Sequence, residues 1–437
     1  MPELDFKGKE FVRNHHLTVP FRPLVPDAEK SVGEPDLNGN LIIQGDNLEA
    51  LKSLLPMYAG KVDCIFIDPP YNTGNEGWCY NDNVNSPTLK QWFSENPVGI
   101  DDSLRHDKWC AMMWPRLKLL WELLADTGSL WMTLDDNEAP KARILLDEIF
   151  GADSFVVNVA WQNKVSPAND AKQFSDDHDS LMVYAKHPDW QPSRLERNAE
   201  QLGYYSNPDS DTRGPWNSAT YTCNKTKEER PSLFYPLNRP DGTEVWPSET
   251  AVWAYSKDAS AVHVAEDRIY WGANSTGQPR LKVFLSEVRG VVPRSVWSYS
   301  DSGHTQMATQ ELRQLMGSVE FATPKPLQLL SKVISIAASK PEAIILDSFA
   351  GSGTTAHAVI KANAAGGGYA QVHSSGVRRL RGHPYGGAHT SRNEWLPIPR
   401  NPARDVNGEA AHLDRGEERR QTCRGSGKHS KVTRREF

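Results

Sequence analysis

Two short stretches combine residue types whose spacing suits chemistry. The first is VDCIFIDPPYNTGNEGWCYND, Val62–Asp82, in which an apolar run of β-formers ends on Asp68-Pro69-Pro70-Tyr71. Two prolines fix φ and remove two N–H donors, so the carbonyls project in set directions without local competition. Such a turn can aim the Asp68 carboxylate and the Pro69 carbonyl at one amino group, with the Tyr71 ring beneath as a stacking platform. Two acceptors and a π-face fit a planar base that carries an exocyclic amine. A rigid loop with a capping Asp and a packed Tyr is the other reading of the same four residues.

The second stretch is AIILDSFAGSGTTAHAV, Ala343–Val359. Gly351 and Gly353 permit a tight turn and close backbone approach, and the helix that follows offers free N–H groups to an anionic group. The lysine of a P-loop is missing, which argues against nucleoside triphosphate binding. Gly351 to Ala356 also fits the loose G-x-G-x-x-G/A pattern, so a dinucleotide-dependent oxidoreductase stands as an alternative, as does a plain strand-to-helix turn.

The elements that must position these residues are legible around them. NLIIQGDNLEALKSLL reads as strand, Gly turn and amphipathic helix, with Asp46 or Asn47 as the cap. VDCIFID is a strand, WCAMMWPRLKLLWELLADTG a long helical pattern, and SLWMTLDD, SFVVNVAW and SLMVYAK are further strands. Asp135 and Asp136 end one of these and suit turn capping. Strand alternating with helix predicts an α/β fold with a mostly parallel sheet. The expected divisions are an arm at 1–37, a first α/β block at 38–186, a strand- and loop-rich module at 187–315, a second α/β block at 316–365 and an atypical, disordered tail at 366–437.

A chain of 437 residues can bury a large core, and its formal charge of −6 provides no global attraction to nucleic acid, so any such binding needs a local basic face. The five cysteines (Cys64, Cys79, Cys110, Cys223, Cys423) show no metal-ligand spacing and no disulfide-like density, so no metal and a reducing cytoplasm are expected. No stretch approaches the roughly 18 apolar residues of a membrane span.

Taken together, these residues resemble the β-class adenine-specific DNA methyltransferases, including the modification subunits of type III restriction systems. FIDPPYNTGNEGWCYND, RHDKWCAMMWPRLKLLWELL, GSLWMTLDDNE, DEIFG and FATPKPLQLL look like blocks of that family in the family's order. The resemblance implies a Rossmann-like, doubly wound fold that binds S-adenosylmethionine, with 187–315 as an inserted target-recognition module. It implies catalysis by Asp68, Pro69, Pro70 and Tyr71 on an adenine flipped out of double-stranded DNA. On the cofactor side it implies Asp347, Phe349, Gly351, Ser352, Gly353 and Thr354, with Lys325 and Pro326 from the K-P block and Asp46, for which a helix cap is an equal reading. A restriction (helicase/nuclease) subunit and a homodimer are implied as partners. In the module, Lys225, Lys227, Arg230, Arg239, Arg280 and Lys282 alternate with aromatics, as phosphate contacts or as ordinary solvated charges.

The family pattern continues past the cofactor loop with a strand that ends in a ribose-binding acidic residue. NAAGGGYAQVHSSGVRRLRGHPYGGAHTSRNEW is expected to supply neither, and Asp405 and Glu409 lie in no strand-like context. Codons for Gly382–Thr390, read one base later, permit Asp-Thr-Leu-Thr-Ala-Glu-Arg-Thr, so a frameshift near Gly366 is expected to have replaced the C-terminal part. An open sheet edge would follow, and with it a non-catalytic DNA-binding remnant as an alternative function.

Overall fold

A computed structural model of the chain describes residues 3–31, 36–73, 104–317, 321, 323–338, 340–366 and 371–376. Two single helical turns come first, α1 (Lys9–Val12) and α2 (His15–Thr18). Phe6, Val12 and Val19 of this arm are buried in the main core. β1 (Leu41–Gln44) then leads into α3 (Asn47–Tyr58). Leu48, Leu51, Leu54 and Tyr58 recur there at helical spacing and are buried. Asp46 caps α3, its carboxylate accepting from the Leu48 N–H at 2.8 Å and the Glu49 N–H at 3.4 Å.

β2 (Val62–Ile67) is buried at every position, as a strand covered on both faces must be. Ile65 and Ile67 enter one core while Cys64 and Phe66 enter the other. Next come α4 (Arg105–Leu123), β3 (Leu124–Leu134), α5 (Ala139–Phe150), β4 (Phe155–Gln162) and β5 (His178–Ala185). α4 ends at Leu123, short of the Gly128 that the apolar pattern reaches, because the chain there already lies against β2. A Cβ on Gly128 would stand 2.6 Å from the Val62 carbonyl oxygen, so only glycine permits the approach.

The module carries β6 (Trp216–Thr220), β7 (Thr222–Cys223), β8 (Leu237–Asn238), β9 (Glu244–Val245), β10 (Val252–Trp253), α6 (Lys257–Ala265), β11 (Ile269–Tyr270) and β12 (Arg280–Phe284). These form three small sheets around a core that includes Tyr221, Tyr235, Trp253 and Trp271. Both ends of 187–315 turn back to the main body: Trp190 and Leu195 pack on its second core, and β13 (Val296–Trp297) joins its sheet. α7 (Thr305–Met316), α8 (Leu327–Ala337), β14 (Ile344–Asp347), α9 (Thr354–Gly366) and β15 (Gln371–Gly376) complete the described chain.

Among the described residues the main sheet has eight strands in the order β1-β15-β14-β2-β3-β5-β4-β13, of which only β5 runs against the rest. Apolar residues of α3, α4 and α5 cover one face; those of α8 and α9 cover the other. The result is a three-layer α/β fold with a mostly parallel sheet. No helix among the described residues is long and apolar enough to cross a membrane.

One expectation is overturned. The strand after the cofactor loop is present: β15 pairs in parallel with β1 on one side and β14 on the other, so no edge opens beside β14. The sequence reading failed because Gln371–Gly376 contains one large apolar residue, Val372, whereas a strand between two parallel neighbours is held through main-chain groups on both of its edges. Residues 377–437, on which the frameshift expectation mainly falls, lie outside the described residues.

Candidate active site

The sheet order brings the two motifs together. β14 lies directly beside β2, with Ile345 opposite Cys64 and Leu346 opposite Ile65. Parallel neighbours end at the same edge, so Asp68 at the end of β2 and Asp347 at the end of β14 share one rim of the sheet. That rim is where open α/β sheets place ligands.

Both oxygens of Asp68 are engaged. Oδ1 accepts from the Thr133 hydroxyl at 2.6 Å and Oδ2 from Lys325 Nζ at 2.6 Å. Thr133 arrives from neighbouring β3 and Lys325 from the segment before α8. The same Lys325 ammonium stands 5.0 Å from the centre of the Tyr71 ring, within cation–π range. Tyr71 donates its hydroxyl to Asp179 Oδ2 at 3.2 Å. Burial, then the negative charges of Asp68 and Asp179, hold the Tyr71 phenol well above its ordinary value.

The loop around these groups is locked from behind. Trp109 on α4 donates its indole N–H to the Pro70 carbonyl at 2.7 Å, so that carbonyl serves the scaffold. Asn72, fully buried, turns the chain at φ 60°, a conformation that asparagine tolerates better than most residues. Its amide donates to the Arg105 carbonyl at 3.1 Å and to Glu138 Oε1 at 2.5 Å, and His106 Nδ1 lies 2.6 Å from the same oxygen.

On the second motif, Asp347 braces the turn rather than projecting from it. Its oxygens accept from the Phe349 N–H at 2.9 Å and the Thr355 hydroxyl at 2.6 Å. Burial pushes its carboxyl up to about 6, against the pull of those two donors. Gly351 and Gly353 take φ of 53° and 81°, and a Cβ on Gly351 would stand 3.2 Å from the Phe321 ring. Ser352 and Thr354 share a hydroxyl hydrogen bond of 2.9 Å, and Phe349 is buried in the first core. Pro326 serves as the N-cap residue of α8.

Behind this turn, Asn47 donates to the Ser348 carbonyl at 2.9 Å and accepts from Arg116 Nε at 2.7 Å, while Arg116 Nη1 donates to the Met112 carbonyl at 2.7 Å. Arg116 is fully buried, and its Nη2 lies 3.8 Å from Asp46. Asp46 is therefore a helix cap that meets a buried cation. Asp135 likewise caps a turn, accepting from the Asn137 N–H and side-chain amide.

Several of these residues were missed in the sequence. Thr133 is a polar residue closing an apolar run, and Asp179 an acidic one opening another, the only local signals they give. Burial pushes the Asp179 carboxyl up to about 6, with Asp68 adding to the rise and Lys325, Asn163 and Tyr71 opposing it. Asn47 and Arg116 read as helix residues among others.

The basic residues of the module separate into two kinds. Lys282 is buried and meets Asp209 at 2.7 Å and Asp211 and Asp267 at 3.2 Å. Arg280 is tied to Ser218 and Arg239 to the Gly277 carbonyl and Thr243. Lys225, Lys227 and Arg230 lie exposed on one short segment, with Lys227 6.0 Å from the Phe234 ring and Lys225 paired to Glu229. Among the described residues no group of three His, Cys, Asp or Glu side chains could hold a metal ion.

Residues 62–370 match the family described as DNA methylase. Over 377 residues the chain is 33% identical to the StyLTI Mod subunit of a type III restriction-modification enzyme of Salmonella typhimurium, covering 84% of this chain and 57% of that protein. It is 30% identical over 407 residues to the EcoPI Mod subunit of Escherichia phage P1, covering 82% of this chain and 61% of that one. With the type II methyltransferase M.KpnI of Klebsiella pneumoniae it shares 31% identity over 359 residues, covering 78% of this chain and 81% of the other. The chain thus spans about three fifths of the length of the two Mod subunits.

Proposed function

Because the chain belongs to the DNA methylase family over residues 62–370, we propose that it transfers a methyl group from S-adenosylmethionine to the N6 amino group of adenine in double-stranded DNA. Its setting would be the cytoplasm, as the modification component of a restriction-modification system that acts with a restriction subunit and as a homodimer. The observation that carries this reading is the adjacency of β2 and β14, which sets Asp68 and the Gly351–Gly353 turn on one rim of the sheet.

The residues at the turn fit the cofactor. The positive φ values of Gly351 and Gly353 open the backbone; among the described residues, nothing lies within 4 Å of a Cβ built on Gly353 and the buried Ser348 hydroxyl has no hydrogen-bond partner. Phe349 to Thr354 and the first turn of α9 would hold the cofactor there. When bound, S-adenosylmethionine supplies a methyl group activated by its sulfonium.

The chain's own residues supply the rest by positioning. The target nitrogen is engaged in pairing within a duplex, so the base must be flipped out to reach the rim. Asp68 and the Pro69 carbonyl accept from the amine and draw its lone pair out of ring conjugation. Tyr71, anchored by Asp179, supports the base from one face. On taking the methyl group from the sulfonium, the amine would give up one proton, for which the Asp68 carboxylate would be the adjacent acceptor.

One observation favours a second reading, a DNA-binding protein that does not transfer methyl groups. Residues 377–393, which follow β15, contain no acidic side chain to hold a ribose. Transfer of labelled methyl groups from S-adenosylmethionine to unmethylated DNA, with Asp68→Ala as control and the modified nucleoside identified, separates the two. N6-methyladenine that disappears in Asp68→Ala supports the transferase. DNA binding by folded protein without any transfer supports the second reading.

A further inference from the structure

The proposed mechanism asks two things of the pocket: an acceptor on Asp68 for an amine and an open face of Tyr71 for a ring. One group of the protein already takes both. The Lys325 ammonium lies 2.6 Å from Asp68 Oδ2 and 5.0 Å from the centre of the Tyr71 ring, with its side chain 12% exposed. With charge on both partners, this bond is stronger than the one that the neutral amine of a base would make to the same carboxylate. An amine that gains positive charge as it attacks cannot share this corner with a fixed cation. The ammonium must therefore leave as the base arrives.

The surroundings allow it to leave without losing a counter-charge. Besides Asp68, the Lys325 charge acts on the buried carboxyls of Asp179 and Asp347. The Pro326 ring fixes φ at the N-cap of α8, next to Lys325 in the chain, so the movement falls to the four-carbon lysine stem.

We propose that Lys325 is an internal occupant of the target-base pocket: a base is admitted only by exchange with the Lys325 ammonium at Asp68 and Tyr71. This rests on the methyltransferase reading and adds the competition to it. Any base that enters must displace the same ion pair, so Lys325 sets how tightly the pocket takes a base and leaves the choice between bases to other groups.

The test compares the wild-type chain with Lys325→Met and Lys325→Arg in methyl transfer to unmethylated DNA, resolving kcat from KM for DNA. Binding of S-adenosylmethionine is followed by calorimetry alongside. A partly screened ion pair corresponds to about a two- to fivefold effect, so Lys325→Met is expected to lower KM for DNA by that factor. Lys325→Arg should keep the wild-type KM, and cofactor affinity should hold in both. A KM that is unchanged or raised in Lys325→Met overturns the proposal, as does loss of cofactor affinity, which would make Lys325 a cofactor residue. Should Lys325→Met fail to fold, Lys325→Gln carries the same comparison. A wild-type chain that transfers no methyl group refutes the methyltransferase reading and the exchange with it; an active wild type with an unresponsive variant refutes the exchange alone.

Discussion

The hydroxyl of Tyr71 and the carboxylate of Asp179, 108 residues apart in the chain, share a hydrogen bond of 3.2 Å. The strand that carries Asp179 also runs against the other described strands of the main sheet. The reversal matters: β5 presents its first residues, rather than its last, to the rim where β2 ends. An acidic residue near the start of β5 is thereby set beside the ring at the end of β2.

Asp179 holds its proton up to about 6, against 3.8 for a free aspartate, mainly because it is buried. A raised carboxyl contributes stability that is full below about pH 4 and is lost as pH rises through about 6. Asp179→Asn removes that penalty and keeps an acceptor for Tyr71. The variant should exceed the wild type by about 1–3 kcal/mol at pH 8, the difference closing below pH 4. Urea denaturation at the two pH values checks this, and a variant less stable than wild type at pH 8 contradicts it. Asp179→Ala, which frees the ring, should cost roughly tenfold in kcat.

Thr133 holds Oδ1 of Asp68 at 2.6 Å. Thr133→Val keeps the volume and removes the donor. Asp68 retains Lys325, so stability should change by no more than about 1 kcal/mol, while kcat for methyl transfer falls by roughly an order of magnitude. Equal losses in both, read by thermal melting and steady-state kinetics, would instead mean that Thr133 merely supports the sheet.

Arg116 and Asn47 form a buried polar chain that ends on the Ser348 carbonyl. Arg116→Met should destabilise by about 3–5 kcal/mol, since it leaves the groups that met its charge uncompensated. Asn47→Leu should be costly for the same reason. The double variant should cost less than the two losses added, because each single change already breaks the other's contact. A double-mutant cycle measured by denaturation reports this coupling, and strict additivity would show that the two residues act independently.

Lys282 and Lys227 should behave as opposites, although the sequence groups them. Lys282 is 3% exposed and meets three carboxylates, so Lys282→Met should destabilise the module by about 3–5 kcal/mol. Lys227 is exposed, and Lys227→Ala should leave stability unchanged. In a DNA-binding chain it would weaken binding uniformly across sequences and reduce the salt slope by about one. Binding isotherms at several salt concentrations test the second half; melting tests the first.

The residues that announced themselves in the sequence did so through local pattern. β2 is an unbroken apolar run, Asp46 precedes a helical repeat, and Gly351 and Gly353 stand between an apolar strand and a helix. Those signals arise from neighbours within a few positions, where propensity, capping and φ requirements operate. β15 gave no such signal. Its place between β1 and β14 comes from main-chain pairing with two strands distant in sequence, which side-chain periodicity does not register.

The sequence by itself determined the chemistry at each strand end: an Asp, two prolines and a Tyr after β2, and an Asp and a glycine turn after β14. Only the tertiary structure decided how those groups are used. Strand order sets which ends become neighbours, and burial raises the cost of leaving any of them unpaired. So Asp68 came to Lys325 and Thr133, Tyr71 to Asp179, and Asp347 to its own turn. No run of residues encodes the first three pairings, because each joins segments that meet only when the sheet closes, whereas Asp347 turns back on residues two and eight positions ahead of it.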